Sequence, residues 1–157
     1  MIFKPDMIVE KVDDIDFEKL IKQGKTFFIF DFDNTLGYWR SSKILDGFEK
    51  ILQKIKEAGG EVLIASNGKP RKLCLDGVEV FWRSGKPFAF KLRKVLKEKG
   101  VKNDQIVMIG DQIFTDVLVG KFLKAYTIKV EPLSKKEFFG TKFFRFLELI
   151  TKPLWKR

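Results

Sequence analysis

The chain has 157 residues, enough for one domain with its own core, and carries 31 Lys and Arg against 21 Asp and Glu, a net charge of +10. It holds 17 Phe, one cysteine and no histidine. These counts exclude an internal disulfide, Ser-His-Asp and Cys-His catalysis and histidine-ligated metals, leaving carboxylates, lysines, hydroxyls and a hard cation. The start lacks the apolar stretch of a signal peptide and no run approaches the roughly 18 apolar residues of a membrane span, so a cytoplasmic protein is expected.

In chain order, residues 13–20 read as a short helix leading into a first strand. That strand, within Thr26–Phe30, is apolar throughout, as a strand buried on both faces should be. It ends in Asp31-Phe32-Asp33-Asn34-Thr35-Leu36. Alternation along a strand puts Asp31 and Asp33 on one side, so both are expected to address one spot past its end. Their repulsion calls for a divalent cation or a lysine. Tyr38, Trp39 and Arg40 follow, and either line an entrance or cover a loop.

Phe48, Ile51, Leu52 and Ile55 recur at helical spacing over 46–57, with Asp46 as a start and Gly59-Gly60 as a stop. A second strand, 61–65, ends at Ser66-Asn67, whose hydroxyl and amide suit phosphate oxygens. Cys74 lacks the sequence context of a phosphatase thiolate and reads as a packing residue. A third strand, 78–82, precedes Lys86-Pro87. Proline suits a first helical turn, so a helix is expected over about 88–99 with Lys86 at the strand-to-helix corner. The fourth strand ends at Gly110-Asp111, with Asp116 five residues later, and 125–130 supplies a fifth.

Strands alternating with helices predict a single α/β domain, a Rossmann-like three-layer arrangement around a parallel sheet of about five strands. Ligands bind such sheets at the carboxyl ends of the strands. Asp31, Asp33, Thr35, Ser66, Lys86, Asp111 and Asp116 all fall at such ends. The short spacing between them leaves no room for an inserted cap domain, so an open site is expected.

In order, Asp-x-Asp-x-Thr, Ser-Asn, Lys86 and Gly-Asp-x4-Asp resemble the four motifs of the haloacid-dehalogenase-like (HAD) phosphatase superfamily. Lys4-Pro5-Asp6, Asp33-Asn34-Thr35-Leu36, Gly85-Lys86-Pro87 and the run from Gly110 to Asp116 resemble the class IIIA subgroup, which includes phosphatidylglycerophosphate phosphatases. One departure stands out. After Ser66-Asn67 the subgroup usually has more Asn and acidic residues, where this chain has Gly68-Lys69-Pro70-Arg71.

Residue chemistry and resemblance imply the same roles. Mg²⁺ would be held by Asp31, Asp111 and the Asp33 main-chain carbonyl, with Asp116 direct or through water. Lys86 adds a second positive charge, and Thr35, Ser66 and Asn67 hold phosphoryl oxygens. Asp31 is the nucleophile that forms an aspartyl-phosphate, and Asp33 is the acid and then the base.

Residues 134–157 hold seven basic residues and two acids, a net +5, and six aromatics. Phe139, Phe143, Phe146, Leu147 and Ile150 form one helical stripe expected to pack on the core, while Phe138, Phe144, Leu149, Leu154 and Trp155 lie off it. Basic charge with surplus aromatics suits docking on an anionic membrane, ahead of nucleic acid. The expected function is dephosphorylation of phosphatidylglycerophosphate, a phosphorylated lipid head group, by a protein peripheral at the inner face of the membrane. The alternatives are a nucleic-acid end or a soluble phosphomonoester as substrate, or a non-catalytic binding module. Oligomeric state is not legible.

Overall fold

A computed structural model describes residues 2–38, 40–73, 75–133 and 139–155, with the main chain alone for 139–144. Trp39, Cys74, Phe138 and the side chains of Phe139, Phe143 and Phe144 therefore lie outside the described residues. Six strands form one sheet: β1 (Met7–Val9), β2 (Phe27–Phe30), β3 (Glu61–Ala65), β4 (Glu79–Phe81), β5 (Ile106–Gly110) and β6 (Tyr126–Val130). Their order is β1-β6-β5-β2-β3-β4, and every pairing is parallel. Each strand therefore ends at the same edge of the sheet.

The helices are α1 (Phe17–Lys22), α2 (Phe48–Glu57), α3 (Phe90–Glu98), α4 (Leu118–Phe122) and α5 (Phe139–Trp155). β2 shows why both faces are covered. Phe28 and Phe30 point into a cluster with Phe17 and Leu20 of α1 and Phe48 and Ile55 of α2. Phe27 and Ile29 point the other way, toward Leu92 and Leu96 of α3 and Val119 and Leu123 beyond. All four β2 residues are buried, as the unbroken apolar run requires. Aromatic edges fix the first layer: Phe17 meets Phe28 and Phe30 meets Phe48, both at 5.3 Å between ring centroids and nearly perpendicular.

Four expectations shift. The sheet has a sixth strand, β1, held at its edge by Asp6. The Asp6 carboxylate accepts from the Thr127 N–H at 2.8 Å and hydroxyl at 2.9 Å, and from Lys121 Nζ at 3.0 Å. The expected helix over 13–20 starts later, at Phe17, because the Asp16 side chain caps it by accepting from Lys19 N at 3.1 Å. Pro87 is not in a first helical turn: the Lys86–Pro87 bond is cis, and α3 begins at Phe90, so Lys86 sits in a loop.

The apolar stripe of the last helix is also read onto the wrong face. Phe146 and Ile150 are exposed, whereas Glu148 and Trp155 are buried. Trp155 packs with Ile113 and Val117, beside the segment that follows β5. Leu149 and Leu154, off that stripe, are exposed as well.

Candidate active site

Because β2 and β5 are neighbours, the residues that follow them are neighbours too. The Asp31 N–H continues the ladder, donating to the Ile109 carbonyl at 2.9 Å, and this places Asp31 beside the end of β5 and Asp111. Past Asp111 the chain winds into a wide π-helical turn, Ile113–Val117, which brings Asp116 back. Asp116 Oδ2 accepts from Gln112 N at 3.1 Å. Gly110 makes room for this return, since a Cβ there would fall 2.3 Å from the Asp116 carboxyl.

As a result one carboxylate oxygen each from Asp31, Asp111 and Asp116 lies within 4.8 Å of the others, and all three residues are buried. The Thr35 hydroxyl donates to Asp111 Oδ1 at 3.4 Å. Lys86 reaches into the same place: Nζ is 2.6 Å from Asp31 Oδ1 and 2.8 Å from Asp116 Oδ1.

Electrostatics follow from the burial. Loss of water raises the Asp31 carboxyl well above the usual carboxylate range; Asp116 and Asp111 add to this and Lys86 opposes it. Burial pushes Asp111 up to about 7, with the Arg145 guanidinium opposing. Burial alone would lower Lys86, but the Asp116 and Asp31 carboxylates outweigh it and hold the ammonium above its ordinary value. Three buried hard oxygen donors, two of them resisting ionisation together, fit Mg²⁺, a small cation that takes few carboxylates and keeps waters.

Asn67 takes a different place from the one expected. Its amide holds the main chain of Lys86, donating to the carbonyl at 2.7 Å and accepting from the N–H at 2.9 Å. Ser84 Oγ donates to the same Asn67 oxygen at 3.0 Å. Asn67 thus positions Lys86. Ser66, buried at the end of β3, accepts from Gly68 N at 3.0 Å and donates to Asp33 Oδ2 at 3.3 Å.

The Asp33 carboxylate is not among the three converging groups. Its Oδ1 takes Arg71 Nη2 at 3.0 Å and the Arg40 N–H at 2.9 Å. Arg71 is itself fixed: Nε donates to the Ser41 carbonyl at 3.0 Å, and its guanidinium lies 4.9 Å from the ring centroids of both Phe32 and Trp82. Sequence reasoning marked the stretch ending in Arg71 as a departure without giving it a role.

Arg145 of α5 was missed. Its Nη1 donates to the Asp111 carbonyl and lies 3.2 Å from Glu148 Oε2, while Nη2 donates to Asp111 Oδ2. Glu148 accepts in turn from the Ile113 N–H. Arginine and glutamate three apart in an apolar stripe were the available signal.

A parallel α/β sheet with an aspartate after one central strand, a Gly-Asp after its neighbour and a buried lysine bridging Asp31 and Asp116 defines a HAD-like hydrolase. A HAD-hydrolase-like family pattern matches residues 83–131. The chain is 31% identical over 150 residues to the probable phosphatase YqeG of Bacillus subtilis (strain 168), covering 93% of this chain and 87% of that protein. It is 29% identical over 167 residues to the chloroplastic/mitochondrial phosphatidylglycerophosphate phosphatase 1 of Arabidopsis thaliana, covering 98% of this chain but 48% of that protein. No solved structure matches. The chain belongs to the HAD-like phosphatases.

Proposed function

We propose that this phosphatase is Mg²⁺-dependent, works through an aspartyl-phosphate on Asp31, and acts on phosphatidylglycerophosphate at an anionic membrane surface. The observation that carries the chemistry is Lys86, buried between Asp31 and Asp116 with Asp111 alongside.

Asp31, Asp111 and Asp116 would hold the cation, together with the Asp33 main-chain carbonyl. When bound, Mg²⁺ neutralises phosphate charge and so lets an anionic carboxylate approach an anionic ester. Lys86 supplies a fixed positive charge in a site from which water is excluded, where it acts more strongly than at a surface. The Thr35 and Ser66 hydroxyls, which donate to Asp111 and Asp33, would turn to phosphoryl oxygens when substrate enters. An Asp31 oxygen forms a bond to phosphorus as the ester P–O bond breaks, and Asp33 delivers a proton to the departing alkoxide. Asp33 then takes a proton from the water that cleaves the aspartyl-phosphate.

The lipid reading rests on the absence of a cap in the chain's spacing and on the likeness to the Arabidopsis protein, which bears that substrate in its name. It rests also on α5, whose Phe146, Leu149, Ile150 and Leu154 are more than half exposed within a segment of net charge +5. Three leucine or isoleucine side chains with one phenylalanine in a basic segment suit a bilayer surface better than a base stack. Among the described residues no helix is long and apolar enough to cross a membrane; the contact proposed is peripheral, at the cytoplasmic face.

The test is phosphate release with and without Mg²⁺ from phosphatidylglycerophosphate in mixed micelles, from a soluble phosphomonoester and from a 3′-phosphorylated oligonucleotide. Preference for the lipid is expected. Preference for the oligonucleotide, with steeply salt-sensitive binding, would replace the lipid reading.

A further inference from the structure

We infer that Arg71 is a positioning residue that aims the Asp33 carboxyl at the leaving group; this rests on the acid and base reading of Asp33. Arg71 Nη2 and the Arg40 N–H both bind Oδ1, at 3.0 and 2.9 Å. Among the described residues Oδ2 has the Ser66 hydroxyl as its partner, at 3.3 Å. The two oxygens are thereby divided: one anchored by a cation, the other available to carry a proton. Arg71 cannot swing freely, because Nε is tied to Ser41 and the guanidinium lies between Phe32 and Trp82. Phe32 is the neighbour of Asp33, so the aromatic contact and the ion pair fix one short stretch of chain from two sides. A lysine has no planar fork with which to make both bonds and the stacking together.

General acid help matters in proportion to how poorly a group leaves. Arg71→Met, which retains apolar contact with the rings, is assayed beside Asp33→Asn on p-nitrophenyl phosphate and on an alkyl phosphate. In Arg71→Met the rate on the alkyl ester should fall by about 10²-fold, that on the aryl ester by about tenfold or less. The double variant should lose little more than Asp33→Asn alone, because the two act as one unit. Equal losses on both esters, or additive losses in the double variant, would overturn the inference. If Asp33→Asn itself shows no dependence on the leaving group, the acid reading of Asp33 fails first. Should Arg71→Met not fold, Arg71→Lys is measured on the same pair of esters, and an unchanged alkyl-to-aryl ratio there would equally overturn the inference.

Discussion

Lys86 and Arg71 each hold an aspartate at the carboxyl edge of the sheet, in opposite surroundings. The Lys86 side chain is 2% exposed and bridges Asp31 and Asp116, at 12% and 1%. The Arg71 side chain is 19% exposed and its partner Asp33 22%. In the first pair the charges have lost their water, so each depends on the other and neither can leave cheaply. In the second, solvent screens the attraction, so the pair adds little to stability although Ser41, Phe32 and Trp82 hold Arg71 in place. The sealed pair therefore suits a phosphoryl group that must not move. The half-open pair suits a proton that must travel to a leaving group and back from water.

The sharpest way to break this contrast is to remove Asp31, the nucleophile we propose. Asp31→Asn should lower phosphate release by about 10⁴-fold or more, and because Lys86 keeps Asp116 as a partner its stability cost should stay below that of Lys86→Met. Substantial residual turnover would show that Asp31 is not the attacking group.

Next in size is the stability cost of unpairing. Lys86→Met should destabilise the fold by about 3–5 kcal/mol, measured from urea midpoints with a chelator present, because Asp31 and Asp116 lose their shared buried cation. A cost near zero would place solvent inside the cluster.

The pH dependence sharpens the same point. Burial raises the Asp111 carboxyl from 3.8 to about 7 in the folded state. Between those values the folded chain holds a proton that the unfolded chain has released, so this stabilisation is complete below about pH 4, declines as pH rises, and is gone above about pH 7. The difference in urea midpoint between the wild type and Asp111→Asn, measured from pH 5 to 8 with chelator, should follow that course. Saturating Mg²⁺ should remove the decline by favouring the ionised carboxylate. A difference independent of pH would refute the burial of Asp111.

The smallest effect is expected at the rim. Arg71→Met should cost about 1 kcal/mol or less in urea midpoint, even where its effect on turnover of alkyl esters is large. A loss comparable to that of Lys86→Met would erase the distinction between the two pairs.

Much of the sealed half was legible because it is made by strand ends. An apolar run that stops at Asp31, and another that stops at Gly110-Asp111, announce their positions through local pattern alone. Parallel topology then brings such ends to one edge. Lys86 was placed at the right edge for a partly wrong reason, since Pro87 follows a cis bond and α3 starts three residues beyond it.

The rim was less legible. Arg71 and Arg145 act through long side chains whose partners lie 38 and 34 residues away, and no periodicity encodes such reach. Asn67 looked like a phosphate ligand because a strand-end amide suits one, yet a main chain 19 residues on takes both of its polar atoms. In α5 the apolar spacing chose a face, but the Arg145–Glu148 contacts and the packing of Trp155 turned another inward. β1 was invisible for a simpler reason. Three residues are too few to show alternation, and their pairing depends on Asp6 finding Thr127.

That last pairing bears on how the protein comes into being. Among the described residues, Met7–Val9 form the earliest strand along the sequence, yet within the sheet they pair with the latest, in the register Met7 to Ile128 and Val9 to Val130. A growing chain can assemble β2, β3, β4 and β5, and with them Asp31 and Asp111, while its opening residues wait. Until Val130 has left the ribosome, the stretch from Phe3 to Val9 lacks its β6 partner and remains open to chaperones and proteases. On arrested nascent chains, protease should cut this stretch in those ending before Tyr126 and spare it in those exposing Val130; protection in the shorter chains would mean that β1 finds another early resting place.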